Sequence, residues 1–229
     1  MRILVVEDDD GVADALHEAL VMRGYDVVRT RRGADVLTTH RDFECVLLDL
    51  GLPDVDGMQL LRRLRTVSSI PVVVLTADSD ERTVIRALRS GADDYIVKPP
   101  RMGELVARME TATTSHRGVS MSQSVDAIVV TDDVRVDLVS REVAVAGQSV
   151  PLTQKEFELV RVLTEHPGSA ISRQQLMDRI WGDAFLAVSR SLDVHISGLR
   201  AKLNRPGLIT TIRGYGYRWG PPGPIGSGE

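Results

Sequence analysis

The sequence predicts two domains: a doubly wound α/β domain with five parallel strands, then a smaller α+β domain. Two observations carry this. In the first half, five short runs of β-branched residues and leucine alternate with amphipathic stretches. In the second half the period changes to short strands split by turn formers, followed by three helical stretches. A length of 229 residues suffices for two ordinary domains.

Ile3–Val6, Val27–Arg29, Cys45–Leu50, Val72–Thr76 and Tyr95–Val97 read as strands. Several are continuous apolar runs, the pattern of a strand covered by helices on both faces, so the sheet is expected to be parallel. Val12, Leu16, Ala19 and Leu20 recur at helical spacing, and Gly24 ends that stretch. Met58, Leu61 and Leu64 follow Gly57, Val84, Ile85 and Leu88 precede Gly91, and Leu105, Val106 and Met109 form the last stretch. Five βα units indicate a doubly wound domain over residues 1–115.

The region around 113–126 is rich in Ser, Thr, Gly and Gln, so residues 116–126 read as a linker. The second domain is expected over 127–220. Its strands are Ile128–Val130, Val134–Val136, Glu142–Val145 and Ser149–Leu152. Helices follow at Gln154–Glu165, Arg173–Ile180 and Arg190–Leu203, the first opened by a Thr153/Glu156 capping box. A hairpin over Ile209–Trp219 turns near Gly214, and residues 221–229 read as a disordered tail.

Hydrophobic residues make up 43% and charged residues 26%, enough to fill real cores. The longest apolar runs are strand-length, so none spans a bilayer. The N-terminus lacks the order of a signal peptide, and Cys45 is the single cysteine. These features favour the cytoplasm. The net charge of -4 argues against nucleic acid at first. However, Ser189–Trp219 carries Arg190, Arg200, Lys202, Arg205, Arg213 and Arg218 against Asp193 alone. A local basic patch is what phosphate contacts need.

Glu7 and Asp8 end the first strand and Asp49 the third. With strand order 2-1-3-4-5 these ends meet at the topological switch point. Three carboxylates there repel unless they hold a hard cation. Mg2+ suits them, taking carboxylates, one backbone carbonyl (that of Gly51) and waters. Asp49 can then act as a nucleophile on phosphorus. Lys98 supplies a point charge and Thr76 a hydroxyl at neighbouring strand ends.

The segments ILVVEDD, VLLDLGLPDVDG, VVVLTA and GADDYIVKP resemble the receiver domain of bacterial two-component response regulators. The resemblance implies that Asp49 is phosphorylated by a sensor histidine kinase. It also implies that Glu7 and Asp8 are the acidic metal pair, that Thr76 and Tyr95 are a switch pair, and that Lys98-Pro99 has a cis peptide. One departure is Pro100, where the family usually has an aromatic residue.

In the third C-terminal helix Leu192, Ile196, Leu199 and Leu203 form one apolar stripe. Arg190, Asp193, Val194, Ser197, Arg200 and Ala201 lie opposite. From charge alone the plainer reading is a solvated face. As a groove-entering face, Arg190 would donate to phosphate or guanine, Val194 would touch a thymine methyl, and Arg200 and Lys202 would reach phosphates. The segments LTQKEFELVRVL, ISRQQLMDRIW, SRSLDVHISGLRAKL and IRGYGYRW resemble the winged-helix effector domain of the OmpR/PhoB family. That resemblance makes Arg190–Leu203 a recognition helix on double-stranded DNA. It puts Thr211 and Arg213 in the wing, aligns His195 with a phosphate-contacting position, and makes Trp181–Ser189 a loop for RNA polymerase. Gly198 stands where relatives often carry Arg.

The resemblance further implies a homodimer on activation, with Asp93, Asp94, Glu104 and Arg108 at positions of intersubunit ion pairs. Val84 replaces a common basic residue on that face. A phosphorylation-independent dimeric regulator is the alternative. An aspartate-nucleophile phosphatase is disfavoured, because Gly51 stands where such enzymes carry their acid/base Asp. The chain is therefore not expected to be an enzyme.

Overall fold

The computed structural model describes residues 1–78, 80–114, 128–182 and 191–221. The chain divides into two compact units, Met1–Gly118 and Val119–Glu229. The expected linker and the expected tail beyond Pro221 lie outside the described residues.

In the first unit β1 (Arg2–Val6), β2 (Asp26–Thr30), β3 (Cys45–Asp49), β4 (Val72–Thr76) and β5 (Asp94–Val97) form one parallel sheet in the order β2-β1-β3-β4-β5. Every residue of β3 and β4 is buried, which explains the uninterrupted apolar runs. Ile3, Val5, Leu47, Leu75 and Ile96 pack in one core cluster with Leu16 and Leu20, and with Leu105 and Met109. The alternate residues Leu4, Val6, Val46 and Leu48 are equally buried, so both sheet faces are covered. Cys45 is fully buried, and that burial drives its thiol pKa far up.

Three of the connecting helices open on aspartate caps. Asp9 caps α1 (Asp10–Val21), Asp56 caps α3 (Gly57–Val67) and Asp80 caps α4 (Glu81–Arg89). The last helix is α5 (Met102–Thr114). The second connection differs from the expected regular βα unit. It contains only the single turn α2 (Val36–Thr39), flanked by 3-10 turns at Gly33–Asp35 and His40–Asp42. Gly57 is required by close approach, since a Cβ there would lie 2.7 Å from the Leu50 Cα.

The second unit begins with an antiparallel sheet, β6 (Ile128–Thr131), β7 (Val134–Asp137), β8 (Glu142–Val145) and β9 (Gln148–Ser149), paired in sequence order. The strand expected over Ser149–Leu152 stops at Ser149, because Pro151 has no N–H for a ladder. Then come α6 (Gln154–Thr164), α7 (Arg173–Trp181) and α8 (Ser191–Leu203). The hairpin of β11 (Ile209–Ile212) and β12 (Gly216–Trp219) is joined by β10 (Ala170–Ser172) into a three-stranded sheet. At three residues, β10 is too short to show a period in sequence. Trp181, Trp219, Leu163, Leu176 and Leu199 are among the residues that share one core.

The capping box of α6 also anchors α8. Thr153 Oγ1 accepts from the Glu156 N–H (3.3 Å), and Glu156 Oε2 accepts from the Thr153 N–H (2.7 Å) and from Lys202 Nζ (2.6 Å). Thr153→Ala should therefore lower the stability of the second unit by ~1 kcal/mol. Urea unfolding followed by tryptophan fluorescence checks this, because both tryptophans lie in that unit.

Candidate functional site

The parallel register of the first sheet brings its polar residues together. Val6 pairs with Leu48, Asp49 with Leu75, and Thr76 with Val97. Glu7, Asp49, Thr76 and Lys98 therefore emerge at one edge. Glu7, Asp8 and Asp49 each offer a carboxylate oxygen, and these oxygens lie within 4.8 Å of one another. Glu7 and Asp49 are buried, and Asp8 is partly exposed. Lys98 Nζ donates to Glu7 Oε2 (2.6 Å) and to Asp49 Oδ2 (2.9 Å). The Lys98-Pro99 peptide is cis.

Burial pushes the Glu7 carboxyl above its ordinary range and the Asp49 charge adds to this, while Lys98 pulls it down. Burial opposes the Lys98 ammonium, but its hydrogen bonds to Glu7 and Asp49 outweigh that and raise its pKa. Asp49 Oδ1 accepts from the Gly51 N–H (3.0 Å). A cavity of about 750 Å3 opens beside this group, lined in part by Asp49, Gly51, Thr76, Arg86 and Lys98. A hard, all-oxygen donor set of three carboxylates beside a backbone segment fits a divalent cation.

Thr76 is buried, and its Oγ1 accepts from the Asp78 N–H (3.1 Å). Tyr95 is half-buried, with the Arg108 guanidinium 5.9 Å from its ring centre. Sequence reasoning missed Arg29. Its guanidinium donates to the backbone carbonyls of Glu7 and Asp8, both at 3.0 Å. An arginine in an edge strand carries no motif signal that would reveal this.

The residues expected on the dimer face make ion pairs within the chain. Asp93 is fully buried and accepts from the Val72 N–H and from Arg65, both at 2.8 Å. Asp94 accepts from Arg108 at 2.7 Å, and Arg108 also donates to Glu104 at 2.7 Å. Asp94 and Arg108 are buried too. Each of these buried carboxylates thus has a counter-charge at hand within its own chain, which offsets the cost of its burial. Only Glu104 keeps substantial exposure, with 36% of its side chain accessible.

In the second unit Leu192, Ile196, Leu199 and Leu203 of α8 are buried, while Ser197 and Lys202 are exposed. Thr211 and Arg213 are exposed at the end of β11 and the turn beyond it. Val194 and His195 are buried instead of presented, because α8 packs over a wider arc than its leucine stripe. The His195 ring lies 5.7 Å from that of Trp181. Arg190 and most of the loop Trp181–Ser189 fall outside the described residues. Arg200 donates twice to the Ile209 carbonyl (2.9 and 2.7 Å) and once to Thr211 Oγ1 (2.9 Å), so it braces β11 against α8. At Gly198 a Cβ would sit 3.1 Å from Glu156 Oε1, so glycine lets α8 pass close to α6.

Asp193 accepts both Arg173 Nη groups (2.6 and 2.8 Å), and the Tyr217 hydroxyl also donates to it. The hydrogen bond from Arg173 holds the Asp193 pKa below its ordinary 3.8. A depressed carboxylate contributes stability above its unfolded pKa and loses it as pH falls through the folded one. Acid unfolding of the second unit should steepen below about pH 4, and Asp193→Asn should flatten that dependence. Circular dichroism melts from pH 5 to pH 2 measure this.

Two family profiles match the chain. The response regulator receiver domain matches residues 3–110, and the C-terminal domain of transcriptional regulatory proteins matches 147–219. The chain is 36% identical over 227 residues to the DNA-binding response regulator MtrA of Mycolicibacterium smegmatis, covering 96% of this chain and 97% of that one. It is 38% identical over 222 residues to the transcriptional regulatory protein PrrA of Mycobacterium tuberculosis, covering 94% of each. Among solved structures, a RitR mutant superposes with a TM-score of 0.81 at 24% identity, covering 96% of this chain and 99% of that one. At that identity it supports the fold alone. The response regulator DrrB of Thermotoga maritima, an OmpR/PhoB homologue, gives 0.50 at 29% identity, covering 96% and 98%. With an acidic pocket at the sheet edge of the first unit, three helices and a hairpin in the second, and relatives matched over nearly their whole length, the chain belongs to the DNA-binding two-component response regulators of the OmpR/PhoB family.

Proposed function

We propose that Asp49 accepts a phosphoryl group from a sensor histidine kinase in a Mg2+-dependent reaction, and that this favours a dimer that binds promoter DNA. The observation that supports the chemistry best is Lys98 joining Glu7 and Asp49 beside a third carboxylate.

The Asp49 carboxylate oxygen attacks phosphorus, forming a P–O bond as the P–N bond of phosphohistidine breaks. The electron pair leaves on the imidazole nitrogen, which takes a proton from solvent. Mg2+ bound by Glu7, Asp8, Asp49 and the Gly51 carbonyl would offset the negative charge of the transferring group. Lys98 provides the fixed positive charge that a phosphoryl oxygen needs. The Thr76 hydroxyl borders the same cavity as Asp49 and can donate to that oxygen. Such a donation, followed by a shift of the half-buried Tyr95, would carry the change toward the face formed by α4, β5 and α5.

In the same reading α8 enters the major groove and the β11–β12 hairpin contacts the backbone or minor groove. Ser197, Lys202, Thr211 and Arg213 are the exposed candidates among the described residues. Bivalent binding by a dimer raises affinity without new contacts. The loop Trp181–Ser189 is the candidate contact for RNA polymerase, and the reading places the chain in the cytoplasm. It assigns no catalytic turnover, since Gly51 offers no acid/base group for release of the phosphoryl group.

A gel-shift assay with an acyl phosphate donor tests the switch. Wild type should bind its operator more tightly when the donor and Mg2+ are both present, and Asp49→Ala should not respond. Equal binding in every lane would overturn the proposal and favour phosphorylation-independent binding. Arg213→Ala should weaken binding evenly across DNA sequences and lower the salt slope by about one, as for a lost phosphate contact. Affinity measured at several salt concentrations checks this.

A further inference from the structure

We propose that Arg29 is a positioning residue for the acidic pocket, acting on the backbone that carries Glu7 and Asp8. The inference rests on the phosphoacceptor reading and deepens it. Arg29 lies in β2, the edge strand beside β1. Its side chain is only 19% exposed. Nε donates to the Glu7 carbonyl and Nη2 to the Asp8 carbonyl, both at 3.0 Å, while Nη1 donates to Asp10 Oδ1 at 2.7 Å. All three donating nitrogens of one planar group are engaged.

The geometry of those acceptors gives the fork its effect. The Glu7 and Asp8 carbonyls belong to the two peptide units that flank Asp8. With both oxygens held by one rigid guanidinium, rotation of either peptide is restrained, so the direction of the Asp8 Cα–Cβ bond is set. Asp10 is the first residue of α1, so the same group fixes the helix start relative to the end of β1. Arg31 reaches Asp10 as well (2.6 Å). The hydrogen bond from Arg29 is the main reason the Asp10 carboxyl sits below its ordinary range. Asp10 in turn offsets the charge of Arg29 close to a site meant for a cation.

Positioning and simple charge make opposite predictions. A bare positive charge near the pocket repels Mg2+, so its removal would tighten metal binding. Loss of a positioning group loosens the ligands and weakens binding, typically by tenfold or more for groups that orient metal ligands. A lysine keeps the charge but cannot fork onto two carbonyls and a carboxylate.

The test is a Mg2+ titration of the full chain followed by NMR at the Gly51 amide, for wild type, Arg29→Gln and Arg29→Lys. Thermal melts in EDTA run alongside confirm that each variant is folded. Both variants should lose about tenfold in Mg2+ affinity. Wild-type affinity in both variants, full rescue by lysine alone, or tighter binding in Arg29→Gln would each overturn the proposal. If wild type itself takes up no Mg2+, the phosphoacceptor reading fails, and the Arg29 inference falls with it. If Arg29→Gln does not fold, Arg29→Lys carries the test alone.

Discussion

The ammonium of Lys98 is the group on which the first unit's polar edge depends. Two carboxylates from different strands, Glu7 and Asp49, are buried side by side. Burial penalises each charge, and their mutual repulsion adds to the cost. One cation within 3 Å of both makes the arrangement tenable. The sheet delivers that cation, because parallel pairing starts each strand at one edge and finishes it at the other. The chemistry at the edge is thus a product of strand order more than of any local motif.

The second unit uses its charges differently. Three of its basic residues hold partners within the protein. Arg200 braces β11, Lys202 meets Glu156, and Arg173 grips Asp193. The first ties α8 to the hairpin, the second ties it to α6 and the third to α7. A charged residue on a helix can thus serve binding indirectly, by holding the binding surface in shape. The small residues Ser197, Gly198 and Ala201 leave the middle of α8 lean, so side-chain bulk does not keep it from a groove.

Much of this was legible in the sequence because the strands of the first unit are hydrophobic on both faces. Such runs announce a parallel sheet, and the sheet in turn places Glu7, Asp49, Thr76 and Lys98. What escaped were features with no periodic signal. The single turn at Val36–Thr39 and the three-residue β10 are too short to repeat. Arg29 acts across strands on backbone atoms, which leave no trace in residue identity. Burial of Val194 and His195 escaped for another reason: a helical wheel shows one stripe, whereas α8 is covered over a wider arc. Asp93, Asp94 and Arg108 look like surface charges in a linear reading, yet the fold closes them into internal pairs.

The lone thiol has a practical side. Cys45 opens the central strand β3 with no accessible surface, and its proton is held far more tightly than in a free cysteine. An alkylating reagent needs the exposed thiolate, so it finds nothing to attack while the sheet is closed. Labelling can proceed only at the moments when the middle of the sheet comes apart. The chain thereby carries a built-in clock for the opening of its first unit, without an engineered probe.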